Sequence, residues 1–514
     1  MNRINSIVRI LCLTGVTTIL LSSCFGSFEE INKPLDKASK EDLQKDNYVG
    51  ESFLADMLAW AFPQQENRYQ HTQDLTANQY GRYLSNMNDG FLNAQFPTYN
   101  AKDSWLEWPY INQWPKMVTN LKELEGENGK ENITYAWAEI INAHALLQLT
   151  DTYGPFPIGS EDDPAAYIAQ KDVYARIISD LDHATSLIGA ALVTDPTLVL
   201  FPSMDKIYGG KMASWYKFAN SMKLRIALRI SGVEPETART LAENAIRDGV
   251  ITTNSDNALM SYYPAGMYKI SVEWGDSHMS ADMDVYLNGF DDPRRLKMFM
   301  EPQVAGPRQV MGCLTAARVQ AKEQANKLYS KANFPASKKH NWFGAAEVAF
   351  LRAEGALLGW NMGISAKEAY EQGVKLSFEE WQATGVDAYL NDDTNQPSAY
   401  TDAPMGYSRA VSSPSDITVK WEDADSDARK LERIMVQKWI AMFPNGHEAW
   451  AQIRRTGYPK ILPLAVSTPG YTIPTANRIP YPTTENVKNP EGYRQMLSLL
   501  GGENNYETKM WWQK

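Results

Sequence analysis

Apolar residues recur at intervals of three and four along most of this chain, in segments that arrive in pairs. In ITYAWAEIINAHALLQLTDTYG, residues Ile133, Trp137, Ile140, Ile141, His144, Leu147 and Leu149 keep one side apolar, and Gly154-Pro155 closes the run. His144, on that apolar side, reads as a core histidine rather than a ligand. The same period predicts helices in DVYARIISDLDHATSLI, ASWYKFANSMKLRIALRISG, TARTLAENAIRDG, GAAEVAFLRAEGALLGWNMG, SAKEAYEQGVKLSFEEWQATG, LERIMVQKWIAMFPNG and HEAWAQIRRTG. From Gly344 to Gly385 the order is helix, short turn, helix, the plan of a tetratricopeptide unit. The expected fold is mainly α, a scaffold of tetratricopeptide-like helix pairs. Long insertions poor in helix signals interrupt it near 64–104, 251–340, 386–424 and 457–514, and insertions of that length are usually functional.

The first residues are of another kind. Arg3 and Arg9 precede an apolar run from Ile10 to Leu21, then come Ser22, Ser23 and Cys24. The run is too short to span a bilayer and reads as a secretory signal, residues 1–23. Leu21-Ser22-Ser23-Cys24 resembles the bacterial lipobox, in which the thiol is acylated, so Cys24 is the expected lipidation site and membrane anchor. Residues 24–47 are polar, charged and interrupted by Pro34, and read as a flexible tether. Glu29-Glu30 resembles the signal that sends Bacteroidetes lipoproteins to the exterior. Of the three cysteines, Cys12 leaves with the signal and Cys24 is modified; Cys313 remains, a small apolar residue without a disulfide partner.

Several functions find little in the residues. A net charge of −11 and the lack of a basic arm argue against a nucleic-acid partner. Ser203 and Lys206, Ser255-Asp256-Asn257 and Arg455-Thr456-Gly457 mimic the boxes of penicillin-recognising enzymes. Pro202 and Gly209-Gly210 disfavour the helix that would align Ser203 with Lys206, and Arg455 replaces the Lys of the third box. His447-Glu448 lacks the second histidine of a zinc helix, since Ala451 stands there. Asp423, Asp425 and Asp427 alternate as in a calcium loop, but Ala428 and Ile434 occupy the positions of its Gly and bidentate Glu, which leaves a solvated acidic helix start. No catalytic residue, metal or cofactor is expected.

The lipobox with FEEIN, then LTDTYGPFPIGSE, WYKFANSMKLRIALRIS, TNSDNAL, FLRAEGALLGW and QKWIAMFPNGHEAWAQIRRTGYPKILP resemble, in this order, the SusD/RagB family of nutrient-binding outer-membrane lipoproteins. The resemblance implies a single SusD-like α-helical domain over 48–514, lipid-anchored in the outer membrane and facing the exterior. It also implies a SusC-type TonB-dependent transporter as partner, and binding without catalysis. Oligosaccharides are the ligands in most described systems and peptides in some; a lipid-anchored glycan-degrading enzyme is the alternative outside the family. WYKFANSMKLRIALRIS has a structural reading of its own: Trp215, Phe218, Met222, Ile226 and Ile230 form an apolar stripe, with Lys217, Arg225 and Arg229 as a basic edge.

Sugars present apolar C–H faces and hydroxyl rims, so their sites combine aromatic rings with amide, carboxylate or guanidinium groups. Residues 79–110 hold eight aromatics interleaved with such polar groups. A second segment, SYYPAGMYKISVEWGDSHMSADMDVYLNGF, repeats the mixture. The composition points to Tyr80, Arg82, Tyr83, Asn88, Asp89, Phe91, Tyr99, Tyr263, Tyr268 and Trp274 as ligand-binding residues. Arg82, Arg294 and Arg295 are the groups that an anionic ligand would want nearby.

Overall fold

Helix follows helix in the expected pairs, and each pair packs on the next. The computed structural model describes residues 48–158 and 166–513; Cys24, the signal and the tether fall outside them. The longer helices are α1 (Tyr48–Ala61), α2 (Trp114–Asn128), α3 (Ile133–Tyr153), α4 (Gln170–Thr194), α5 (Met212–Ile230) and α6 (Pro235–Asp248). They continue with α7 (Ala281–Gly289), α8 (Ala345–Leu357), α9 (Ala366–Glu380), α10 (Asp427–Ala441), α11 (Gly446–Thr456) and α12 (Pro490–Leu500). Packing pairs α3 with α4, α5 with α6 and α8 with α9, while α5 also packs on α4, α8 on α5, and α10 on α8 and α9. This is a mainly α fold, and residues Phe53–Lys514 form one compact unit.

Local sequence explains where the helices start and stop. Ser365 opens α9 with a capping box, its hydroxyl accepting from the Glu368 amide while the Glu368 carboxylate returns to the Ser365 backbone. Asn132 caps α3, Ser426 caps α10, and α11 ends at Gly457 in the left-handed region at φ 73°. Helix α3 is buried on nearly every side because α2, α4 and α5 surround it. Its His144 stacks on Trp342 with centroids 4.6 Å apart, and burial keeps the imidazole neutral by lowering its pKa.

The basic edge expected on α5 is instead largely interior. Lys217 reaches Asp256 at 3.0 Å at the surface, but Arg225 and Arg229 are buried. Arg225 donates two hydrogen bonds of 2.8 Å to Glu347 of α8, and Arg229 pairs with Asp151 of α3 and with Glu448 of α11. Lys438 of α10 also faces Glu448, at 3.4 Å. Burial alone would raise the Glu448 pKa, but Arg229, Lys438 and Arg225 together hold its carboxyl below the usual carboxylate range. One charge network therefore joins five helices, because the α5 arginines reach carboxylates on α3, α8 and α11 and Lys438 of α10 shares the last of these.

The insertions contain more helix than their sequences suggest. Residues 64–104 begin with a short helix, Glu66–Tyr69, that runs into a wide π-helical stretch, Gln70–Asn78. A second π-helical stretch, Tyr268–Trp274, and α7 lie in 251–340, and α12 lies in 457–514; residues 386–424 are mostly irregular. The first π stretch lies against α11 backbone to backbone: a Cβ on Gly446 would stand 2.4 Å from the Ala77 carbonyl carbon, and one on Gly81 2.7 Å from the Gly446 oxygen. The strands form two-stranded antiparallel ladders, of which β1 (Leu84–Asn86) with β2 (Ser277–Met279) matters most for the site. Among the described residues no helix is long and apolar enough to cross a membrane.

Candidate functional site

The β1–β2 ladder brings the two aromatic-rich segments together. Asn86 pairs with Ser277, and the Met87 amide donates to the Asp276 carbonyl at 2.7 Å. Beyond the ladder Asn88 donates its amide to Asp276 Oδ1 at 3.0 Å, Gln70 donates to Oδ2 at 3.0 Å, and Lys322 forms an ion pair with the same carboxylate. Asp89 is exposed and accepts from the Lys322 backbone amide at 3.3 Å. Asp276 is thus the node of a polar rim formed by three separate segments.

A strip of rings, half-buried except for the buried Trp60, runs past His71 of the π-helical stretch. Phe91 meets Trp105 edge to face at 4.9 Å, Trp105 lies 6.1 Å from His71, His71 stacks on Trp108 at 5.7 Å, and Trp108 stacks on Trp60 at 6.0 Å. The spacing of Trp105 and Trp108 by three residues, across a helix start at Asp103 and the proline at 109, puts both indoles on one side. Cations stand over the ends: Arg68 is 4.0 Å from the Trp60 ring centre and Lys102 4.8 Å from that of Trp105. Burial lowers the His71 pKa, so the ring is neutral at physiological pH, and its Nδ1 has no protein partner. The strip offers apolar faces, and the adjoining rim offers amide, carboxylate and ammonium groups.

Four residues expected in the site are inside the protein instead. Tyr80 stacks on Trp450 at 4.9 Å and donates to the Phe96 carbonyl at 2.7 Å; Tyr83 stacks on Trp439 at 5.4 Å and donates to its carbonyl at 2.6 Å. Tyr99 donates to the Ile473 carbonyl at 2.8 Å, and Arg82 is buried against Asp282. These side chains fasten the insertion to α10, α11 and the C-terminal segment, which is why the segment is so aromatic. Arg294 is likewise fully buried, holding Asp292 at 2.6 Å. Asn88, Asp89 and Phe91 lie at the rim and strip. Tyr268 and Trp274 are half-buried on the second π stretch, next to Asp276 in sequence, and Tyr263 is 77% exposed. Trp105, Trp108 and His71 were not singled out by composition; the two tryptophans carry the one usable signal, their spacing of three.

Comparison with known proteins bears on what such a site belongs to. A family model described as SusD-like, Susd and RagB outer membrane lipoprotein, matches residues 30–513. The chain belongs to this family. Among solved structures, a SusD homologue from Bacteroides uniformis is 35% identical with a TM-score of 0.85, covering 91% of this chain and 99% of that one. A chitin-binding SusD homologue from Flavobacterium johnsoniae is 33% identical with a TM-score of 0.85, over 91% of this chain and 98% of its own. A SusD-like protein from Bacteroides thetaiotaomicron is 31% identical, also with a TM-score of 0.85, over 90% and 98% respectively. No curated protein matches.

Within this SusD-like protein the enzyme-like motifs have plain structural roles. Lys206 donates to the Ser203 backbone carbonyl at 2.6 Å, in a turn rather than a helix. Asp425 pairs with Arg433 at 2.9 Å, and Asp427 sits in the first turn of α10. Among the described residues no group of three or more His, Cys, Asp or Glu stands close enough to hold a metal ion. Cys313 is buried, and burial pushes its thiol up to about 12, so it is no nucleophile.

Proposed function

We propose that this outer-membrane lipoprotein is anchored through Cys24, faces the exterior, captures an oligosaccharide on the aromatic strip and delivers it to a SusC-type TonB-dependent transporter. The observation that carries the reading is the strip itself: Phe91, Trp105, His71 and Trp108 in ring-to-ring contact, beside a rim of Asn88, Asp89, Asp276 and Lys322. Rings cover the C–H faces of a sugar, and Asn88, Asp89 and Lys322, held in place by the buried Asp276, meet its hydroxyls. Tyr268 and Trp274 would extend the surface from the second segment. The chitin-binding relative supports the ligand class.

The same site supports capture rather than cleavage. Both oxygens of Asp276 are engaged by Gln70, Asn88 and Lys322. Asp74, whose carboxyl burial pushes up to about 7, is shut off from solvent and accepts from Ser277 at 2.7 Å. Neither is free to act as the acid or nucleophile of a glycosidase pair. The test is calorimetry against oligosaccharides and peptides, with chromatography of each sample afterwards. Saturable binding of a glycan recovered intact supports capture; binding of peptides alone favours a peptide carrier, and fragments of any probe overturn a role limited to transport.

A further inference from the structure

We infer a second carbohydrate site on the helix scaffold, in the cleft where α4, α5 and α6 meet. A cavity of about 360 Å3 opens there, lined by Asp182, Thr185, Tyr216, Lys223, Asn244, Arg247 and Asp248. Its volume falls in the range of small-ligand pockets, about 300–1,000 Å3. None of these residues belongs to the strip or its rim, so the site is separate from the one proposed above and does not rest on it.

The lining selects the chemical class. Lys223 is 5% exposed; its ammonium donates to Thr185 Oγ1 at 2.7 Å and pairs with Asp182 at 2.6 Å. An ammonium has three donors, so one N–H is left for an occupant of the cavity. Arg247 pairs with Asp248 at 3.0 Å and donates to Asn244 Oδ1 at 2.7 Å, which leaves further guanidinium N–H groups. Each cation therefore already has its carboxylate, and the lining is neutral as a whole. An ionic ligand would have to separate one of these pairs. A hydroxyl both donates and accepts, so it can join a carboxylate rim and a spare N–H with the pairs intact. Tyr216 supplies the apolar element: its half-buried ring stands over Gly189, where a Cβ would come within 3.2 Å of the ring edge. One ring among balanced donors and acceptors suits a neutral sugar unit. Two sites on one chain would hold a long glycan longer than either alone, through effective concentration, wherever the glycan spans both.

The experiment uses the full chain in detergent micelles, with maltohexaose, cellohexaose, chitohexaose and hexagalacturonate as probes. Trp105→Ala with Trp108→Ala disables the strip, and Asn244→Ala with Arg247→Ala alters the exposed edge of the cleft without touching the core. In the strip variant at least one neutral hexasaccharide should still give saturable heat, and adding the cleft substitutions should weaken it at least about tenfold. Tyr216→Ala should do the same, with secondary structure unchanged by circular dichroism. Absence of heat from every neutral probe in the strip variant overturns the proposal. So does residual heat that survives both sets of cleft substitutions, or binding of hexagalacturonate alone. A failure of the strip reading shows separately, as wild-type heat that the strip substitutions leave unchanged.

Discussion

Arg225 and Glu347 face each other through two hydrogen bonds of 2.8 Å, and with them α5 is fixed to α8 inside the helix scaffold. Both side chains are about 4% exposed, so neither charge can turn to water if the other is removed. Glu347→Ala should cost about 3–5 kcal/mol of stability, the usual consequence of leaving a buried charge without its partner. Urea unfolding followed by far-ultraviolet circular dichroism measures it; a loss below about 1 kcal/mol would mean that Glu448, 3.6 Å from Arg225, takes over the pairing.

His340 gives a prediction about pH. The imidazole is buried among Phe62, Tyr69 and Phe334, and neither ring nitrogen has a partner. Burial lowers its pKa from 6.5 to about 3. Between those values the unfolded chain takes up the proton before the folded one does, so stability falls as pH drops, by up to about 1.4 kcal/mol per pH unit. His340→Phe removes this contribution. Its unfolding temperature should decline less than that of the wild type between pH 7 and pH 4, and an unchanged slope would show that the ring finds a proton acceptor in the folded state.

Asp74 should act with the opposite sign. Its carboxyl is raised from 3.8 to about 7 mainly by burial, so the fold favours the protonated form. The native state then holds more protons than the unfolded chain across that window, and stability decreases as pH rises through it. Asp74→Asn should therefore gain stability relative to the wild type at pH 8 and little or nothing at pH 4. Equal effects at both pH values would count against a protonated Asp74.

The strip carries a prediction about binding. Trp105→Ala or Trp108→Ala should weaken a captured oligosaccharide at least about tenfold, or 1.4 kcal/mol, while Tyr263→Ala should change it little. Loss of affinity in the Tyr263 variant, with none in the tryptophan variants, would move the ligand to the exposed start of the second segment.

The sequence reading and the structure part company at identifiable residues. Helices such as those of Gly344–Gly385 were legible because a three-and-four apolar period has one geometric meaning and Gly344 and Ser365 mark the starts. The π-helical stretch Gln70–Asn78 was not, since QHTQDLTAN is polar by composition yet buried almost throughout. Within the site, counting aromatics located the region but not the residues. Tyr80 and Tyr83 differ from Trp105 and Phe91 only in which partner each ring meets, Trp450 and Trp439 in one case and other rings of the strip in the other. Trp450 and Trp439 come from hundreds of residues away. The charges of α5 misled for the same reason: their carboxylates lie on α3, α8 and α11, and nothing near Arg225 or Arg229 in sequence announces them.

The contact of Gly446 with Ala77 and Asn78 bears on the thermodynamics of capture. Gly446→Ala should destabilise by about 1–3 kcal/mol, because peptide groups in direct contact have no room for a methyl. At Gly446 no side chain lies between the scaffold and the π stretch, so their spacing there is set by peptide contact, and His447 ties the same two elements through the Thr72 carbonyl at 3.0 Å. A surface held in that way has little freedom left to lose when a glycan settles on it. The entropy cost of binding would then fall chiefly on the sugar, and shortening or stiffening the glycan, rather than altering the protein, would be the way to change it.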